Sequence, residues 1–278
     1  LMGTSGWFIR MADLPAETIA LFRMGVPTVL IGGWFLARRQ MPARSGLRNR
    51  MIASTINAVR MYFYFLAFRY TTVANAVVAV YSWPIFAAFF GRLILRERVS
   101  KRDATLLGLA FLGIPILYFP NEIEGASLSY KDGLGITAMV FSAALHALAI
   151  VLLKGSQRRS TAVETTFFQN GVGALAFGLI LLLQRPSIQP HQFAAGIGLG
   201  LITGTVAFSL FFLALQNLKT ARASNLAYFE VLVGVAIGTL ILSEPLRWNT
   251  LVGGVLISVS VMLSRSTGER VRRRRAAG

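Results

Sequence analysis

Long runs of apolar residues, separated by short charged or polar breaks, fill the chain almost from end to end. Because about 20 mostly apolar residues cross a bilayer as a helix, the runs predict an all-α integral membrane protein with ten transmembrane helices. A β-barrel would instead show alternating segments of about ten residues. The predicted spans are residues 1–9, 15–36, 51–68, 72–95, 104–119, 132–154, 162–183, 192–215, 223–242 and 248–264.

Composition agrees with this pattern, but the net charge needs an explanation. Of the 278 residues 55% are hydrophobic and 14% are charged, whereas soluble domains carry about 25% charged residues. A net charge of +17 would by itself suggest a nucleic-acid partner. Twenty of the 28 lysine and arginine residues, however, lie in the loops after even-numbered spans or in the C-terminal tail, and only five lie in the opposite loops.

This asymmetry predicts the orientation of the chain, because basic loops stay on the cytoplasmic side. Both termini are expected in the cytoplasm, and the protein is expected in a bacterial inner membrane. The basic tail, residues 266–278, is interpreted as an orientation signal that meets anionic lipid headgroups. The expected partners are therefore the lipid bilayer and a small-molecule substrate, without nucleic acid, and the protein is expected to be a monomer.

The two halves of the chain resemble each other at a fixed offset of 147 residues. Identical pairs include Tyr81/Tyr228, Gly91/Gly238 and Glu97/Glu244. Each half holds five predicted spans, and an odd number inverts the second half relative to the first, as in many secondary transporters. The predicted units are 1–120 and 129–265. The first helix is expected to be truncated at its start, because Leu1 corresponds to a position well inside the sixth span.

Several sequence segments resemble a known family. The segments LILRERVS (93–100) and LILSEPLRW (240–248) resemble the span-end signature of the drug/metabolite transporter superfamily, EamA type, and GTSGWFI (3–9) and GLAFLGIPILY (108–118) are similar to its pattern. The aromatic content resembles bacterial aromatic amino acid exporters of the YddG type. The resemblance implies two inverted five-helix repeats around a central cavity, and export of aromatic or bulky apolar amino acids. The family often has Glu-Pro where this chain has Glu230-Val231, so no proline kink is expected there.

Two ionisable residues near mid-depth are the first candidates for substrate binding, because charges inside a membrane are costly. Asn57, Arg60 and Tyr64 share one helical face by their spacing. Arg60 is expected to hold a substrate carboxylate while Glu230 faces its ammonium group. The alternatives are an internal Arg60–Glu230 ion pair and a proton-carrying Glu230. Arg23 also lies inside a span, and the sequence indicates no role for it.

Aromatic residues add a second set of candidates. Tyr81 and Trp83 come just before Pro84, which cannot donate a helical hydrogen bond and is expected to loosen the helix. Broken helices at mid-depth tend to line cavities. The remaining candidates for lining the substrate site are Trp7, Tyr64, Tyr228 and His146. For each of them, ordinary packing or a structural hydrogen bond is the alternative.

Small residues and carboxylates are expected to serve the architecture. Glycines repeat every four residues in span 8 and in span 9, and these seams should allow close helix packing or hinge motion. Glu97 and Glu244 end their spans, and each is expected to accept from free amides of the following helix. The predicted hinge and packing positions are Pro84, Gly200, Gly204, Gly234 and Gly238.

The sequence contains no phosphate-binding loop, no zinc-protease motif, no nucleophile elbow and no cysteine. We therefore expect no catalytic residue, metal or cofactor. The leading hypothesis is a carrier that exports small amphipathic metabolites by alternating access. The alternatives are a multidrug or other metabolite exporter of the same fold and, from different classes, a channel or a membrane-embedded enzyme.

Overall fold

The computed structural model describes residues 5–39, 46–71, 73–118, 130–156, 161–184, 186–240, 248, 251–260 and 262–263. These residues form helices joined by short connections, and no strand occurs among them. The helices are α1 (Ser5–Ala12), α2 (Ala16–Ala37), α3 (Leu47–Tyr70), α4 (Val73–Val80), α5 (Trp83–Leu95), α6 (Lys101–Tyr118), α7 (Tyr130–Ser156), α8 (Ala162–Gln184), α9 (Pro190–Leu199), a π-helix (Gly200–Ala207), α10 (Phe208–Asn217), α11 (Thr220–Ala227), α12 (Phe229–Leu240) and α13 (Leu251–Ser260).

Within the described residues, five helical segments are long and apolar enough to cross a membrane. The helix α3 is also long, with 24 residues, but four arginines reduce its apolar character. Leucines on the outside, such as Leu36, Leu175 and Leu183, are about three-quarters exposed, which suits an exterior surrounded by lipid. The five segments are Ala16–Ala37, Val78–Leu95, Gly133–Ser156, Ala162–Gln184 and Pro190–Asn217.

Two predicted spans are interrupted helices. The span predicted at 72–95 consists of α4 and α5, which are separated by a turn at Tyr81 and Ser82, directly before Pro84. The Ser82 hydroxyl donates to the Ala79 carbonyl at 2.7 Å and so satisfies an acceptor that the interruption frees. The span predicted at 223–242 begins earlier, as α11, and is interrupted at Tyr228 although no proline is present there.

The predicted span at 192–215 contains a π-helix that the sequence pattern did not indicate. Between Gly200 and Ala207 the helix is wider than an α-helix. The hydroxyl of Thr203 donates to the Leu199 carbonyl at 2.6 Å, and that of Thr205 donates to the Gly200 carbonyl at 3.0 Å. Apolar periodicity cannot reveal one extra residue in a turn, so only the structure locates this feature. Such segments often lie at functional sites.

Two pairs of helices at equivalent places in the two halves of the sequence, α2/α8 and α6/α13, pack against each other in antiparallel directions. The helices α4 and α11 have eight residues each, and their bounds differ by the repeat offset. In the pair α6 and α13, the Ser260 hydroxyl donates to the Leu106 carbonyl at 2.6 Å, while Arg102, nearer the start of α6, donates to the carbonyl of Leu263. In the pair α2 and α8, Phe35 meets Phe167 while Met24 meets Gly173.

Glu97 connects the two halves at the end that the charge asymmetry assigns to the cytoplasm. Its carboxylate accepts from the Thr220 amide at 2.7 Å and pairs with Lys154 at 2.7 Å. The expectation that Glu97 meets the amides of the following helix is therefore wrong, because the α11 N-terminus packs closer to it than α6 does. The start of α6 is capped instead by Ser100 and Asp103, each accepting from the other's amide. Glu244 lies outside the described residues.

Candidate functional site

Arg60 is held in place by a hydrogen-bond network that joins its own helix, α3, to two neighbouring helices, α7 and α8. Its Nε donates to the Asn57 side-chain oxygen at 2.9 Å, one turn earlier on α3. The Asn57 amide nitrogen in turn donates to the Gln169 carbonyl of α8 at 3.0 Å. The Ser142 hydroxyl of α7 donates to the Arg60 carbonyl at 2.9 Å. Asn57 and Arg60 are 1% and 5% exposed, so this arrangement fixes a buried guanidinium in one orientation.

Arg23 of α2 lies near Arg60, and its guanidinium contacts an aromatic ring. Its guanidinium carbon lies 4.8 Å from the centre of the Phe208 ring, within cation–π distance. It interacts electrostatically with Tyr64 and Glu230, and its charge also reaches Arg60. Among the described residues, neither arginine forms an ion pair with Glu230. The alternative of an internal Arg60–Glu230 ion pair is therefore wrong for this conformation.

His146 and Trp83 form the aromatic side of the site. Their rings meet edge to face with centroids 5.3 Å apart, and Trp83 also packs against Phe211 at 6.1 Å. His146 is electrostatically coupled to both Arg60 and Arg23. Its buried Nδ1 has no hydrogen-bond partner among the described residues. A polar atom left in this state is available to a ligand or to water.

Together these side chains form what we call the central cluster. Four of its members are partly exposed, so they are accessible to a bound molecule. The central cluster offers cationic, aromatic and hydrogen-bonding groups side by side, which suits binding an amphipathic molecule. The central cluster comprises Arg23, Asn57, Arg60, Tyr64, His146 and Glu230.

The two helix interruptions meet at a pair of tyrosines that are equivalent in the sequence repeat. The Tyr228 hydroxyl donates to the Tyr81 carbonyl at 3.0 Å, and the ring centroids are 6.3 Å apart. Tyr228 is fully buried, so it contributes to packing more than to a binding surface. The helices α4 and α11 are each about 12 Å long at 1.5 Å per residue, so the interruptions lie near mid-depth.

Other predicted positions are not members of the central cluster. Trp7 packs edge to face against Phe8 with centroids 4.8 Å apart, on the helix that contacts α9. Gly200 and Gly204 of the π-helix pack directly on the α2 backbone, where an added Cβ would meet the carbonyls of Phe22 and Arg23. Gly234 and Gly238 lie on α12, and their surroundings are outside the described part of the structure.

Sequence reasoning did not assign Arg23 and Phe208 to the site. The signal for Arg23 was present, since it is a charge inside an apolar span. The direction of the Arg23 side chain could not be inferred, because Arg23 reaches the cluster through the packing of α2 against the π-helix and α10. Phe208 is one of 20 phenylalanines and has no distinguishing sequence context.

Comparisons with known proteins agree with a membrane transporter. The chain is 28% identical to the pseudopaline exporter CntI of Pseudomonas aeruginosa over 92% of this chain and 88% of the relative. It is 25% identical to an uncharacterized transporter of Archaeoglobus fulgidus over 95% and 92% of the two chains, and 24% identical to the uncharacterized transporter YcxC of Bacillus subtilis over 94% and 88%.

A solved structure shares the fold, with a TM-score of 0.81 and 16% identity over 95% of this chain and 94% of that chain. The sequence model of the EamA-like transporter family matches residues 1–119 and 133–266, which together make up most of the chain. The helical fold of the described residues, the apolar exterior and the buried polar residues around Arg60 are all expected of such a protein. The chain belongs to the EamA-like transporter family.

Proposed function

We propose that this transporter exports small amphipathic metabolites, with aromatic or bulky apolar amino acids as substrates. The observation that carries the proposal is the position of Arg60, a buried guanidinium that Asn57 orients beside Tyr64 and His146. A carboxylate can bind such a guanidinium through two parallel hydrogen bonds. The neighbouring Trp83 ring provides an apolar surface for the substrate side chain. One relative is an exporter, which supports the direction of transport.

The mechanism we propose is alternating access of two inverted five-helix repeats, residues 1–120 and 129–265, around the central cluster. Three observations support the inversion. The equivalent pairs α2/α8 and α6/α13 pack in antiparallel directions, the bounds of α4 and α11 differ by the repeat offset, and the family match falls into two stretches that correspond to the halves. Inverted repeats place the substrate near mid-depth between the halves, where the interrupted helices meet.

In this proposal each remaining candidate has one task. Arg60 binds the carboxylate, and Glu230, at the start of α12, faces the ammonium group. Tyr64, Trp83 and His146 line the apolar side, Trp7 closes one end, and Tyr81 with Tyr228 joins the two interruptions. Pro84, Gly200, Gly204, Gly234 and Gly238 allow the helices to pack closely or move during the cycle.

Purified protein in liposomes, tested with labelled phenylalanine, tryptophan, leucine and cationic drugs, checks this proposal. We expect saturable uptake and counterflow of the amino acids, and a loss of at least about tenfold with Arg60→Ala, because one charge-assisted bidentate contact disappears. Arg48→Ala is the matched control, since Arg48 is exposed at the start of α3. Normal transport by a well-folded Arg60→Ala protein would rule out the carboxylate role, and uptake of the drugs alone would overturn the amino acid substrates.

A further inference from the structure

The charges inside the membrane do not balance. The chain has eleven acidic residues, and Glu230 is the one placed near mid-depth by the sequence. Glu17, Asp103, Asp132 and Glu164 lie within the first turn of their helices at the membrane surface, and Asp13 and Glu97 lie in connections. The remaining acids belong to predicted loops or to the tail; these are Glu122, Glu124, Glu244 and Glu269. At mid-depth, Arg23 and Arg60 thus face a single carboxylate.

The uncompensated charge is costly, because a buried ion is normally paired. Arg60 has its Nε bonded to Asn57, and its terminal nitrogens carry no hydrogen bond among the described residues. Arg23 rests on the Phe208 ring, which stabilises a cation without neutralising it. Neither lies within ion-pair distance of Glu230 in the described structure. Two guanidinium groups therefore keep donors available within the central cluster.

The interrupted helices add further positive potential at this depth. The helix α5 begins at Trp83 and α12 begins at Phe229, so both have their N-termini at the interruptions near mid-depth. A helix N-terminus carries a partial positive charge that favours anions. In transporters, half-helices of this kind direct their N-termini at anionic substrate groups. The partial charge at these two N-termini is therefore positive, like the excess guanidinium charge.

We infer that Arg23 is a second anion-binding residue of the central cluster, and that the substrate carries one more negative than positive charge. This inference rests on the proposed function and narrows it. A zwitterionic amino acid satisfies Arg60 and Glu230 but leaves Arg23 without a counter-ion. An amino acid derivative with a second carboxylate satisfies all three groups. The preferred substrate is therefore an acidic derivative of an aromatic or bulky apolar amino acid.

The test uses three ligands with the same ring and different charge, measured for binding and counterflow with the purified full chain in liposomes. Phenylalanine amide, phenylalanine and N-carboxymethyl-phenylalanine carry net charges of about +1, 0 and −1 near neutral pH. We expect the wild-type protein to prefer the acidic compound over phenylalanine by about tenfold, because an extra charge-assisted contact forms. Equal affinity for the two, or preference for phenylalanine, overturns the inference.

Variants of Arg23 assign the preference to this residue. Arg23→Gln should lower the affinity for the acidic compound about tenfold more than it lowers the affinity for phenylalanine, so that the preference disappears. Arg23→Lys should retain part of the preference, because lysine keeps the charge but loses the planar fork. Arg92→Gln, which removes an exposed arginine of α5, is the matched control. If Arg23→Gln loses the same factor of affinity for both compounds, the inference is overturned. If the glutamine variant folds poorly, Arg23→Lys supplies the same comparison.

A parallel series built on leucine separates this inference from the proposed function. If N-carboxymethyl-leucine binds in an Arg23-dependent manner while no phenylalanine compound binds, the aromatic substrate is wrong and the second anion site stands. If the zwitterions are transported and the acidic compounds are not, the proposed function stands and the inference fails. If no compound of either series binds to the wild-type protein, both are overturned.

Discussion

At the scale of single residues, Asn57 determines the geometry of the site. It accepts from Arg60 and donates to the Gln169 carbonyl, so one buried amide joins α3 to α8 and orients the guanidinium. The spacing of Asn57 and Arg60 in the sequence predicted that they share a helical face. It could not predict the carbonyl on α8, which is 112 positions away along the chain.

Replacing Asn57 by leucine, which has a similar volume, should weaken both folding and transport. The Gln169 carbonyl loses its donor in a buried place and Arg60 loses its acceptor, so we expect a loss of about 1–3 kcal/mol in the free energy of unfolding. Thermal unfolding in detergent and counterflow measure the two effects. Asn217→Leu is the control, because Asn217 is exposed and bonds only one turn back on α10. Equal stability of the two variants would contradict the role of Asn57.

At the scale of helices, the close packing of the π-helix on α2 explains why glycine is required at two positions. An added Cβ at Gly200 would meet the Phe22 carbonyl, and one at Gly204 would meet the Arg23 carbonyl. Pro27 has no N–H, so the Arg23 carbonyl lacks its usual helical donor four residues later. This carbonyl lies at the point where the π-helix packs on α2. The four-residue spacing of the glycines predicted a packing seam, and the wider helix that carries the seam was not predictable.

Substituting these glycines should destabilise the protein although alanine favours helices. We expect Gly200→Ala and Gly204→Ala each to lower the free energy of unfolding by about 1–3 kcal/mol, because backbone atoms of α2 cannot move aside easily. Gly33 of α2 has no heavy atom within 4 Å of an added Cβ, so Gly33→Ala should be neutral or stabilise by up to about 1 kcal/mol. Thermal unfolding of the three variants measures these differences in stability. If Gly33→Ala were less stable than Gly200→Ala and Gly204→Ala, the close contact would be disproved.

At the scale of the whole molecule, the sequence predicts most of the architecture and little of the central cluster. Apolar runs and basic loops are local properties, so they predict helices, their approximate bounds and an orientation in the membrane. The interruption at Tyr228 and the contact of Glu97 with Thr220 depend on how distant helices meet, so the local pattern misses them. Arg23 shows the same limit, since a charge in a span is visible in the sequence but its neighbours are not.

The predicted orientation can be tested directly, because the chain contains no cysteine that would give background labelling. Positive-inside asymmetry places His191 outside and Arg48 inside, and both side chains are exposed. In intact cells, a membrane-impermeant maleimide should label His191→Cys, and it should label Arg48→Cys only after the membrane is permeabilised. Labelling in the opposite order would invert the topology.

The hydrogen bond between Tyr228 and Tyr81 has a consequence for the energetics of the transport cycle. The two residues are equivalent in the repeat, but the bond is directional, since the Tyr228 hydroxyl donates and the Tyr81 carbonyl accepts. If the two halves exchange shapes when the access side changes, donor and acceptor exchange as well, and the Tyr81 hydroxyl then meets the Tyr228 carbonyl. Under the proposed mechanism, the bond would be rebuilt with the same chemistry in either state, so it would favour neither side of the membrane and would penalise the intermediate geometry between them.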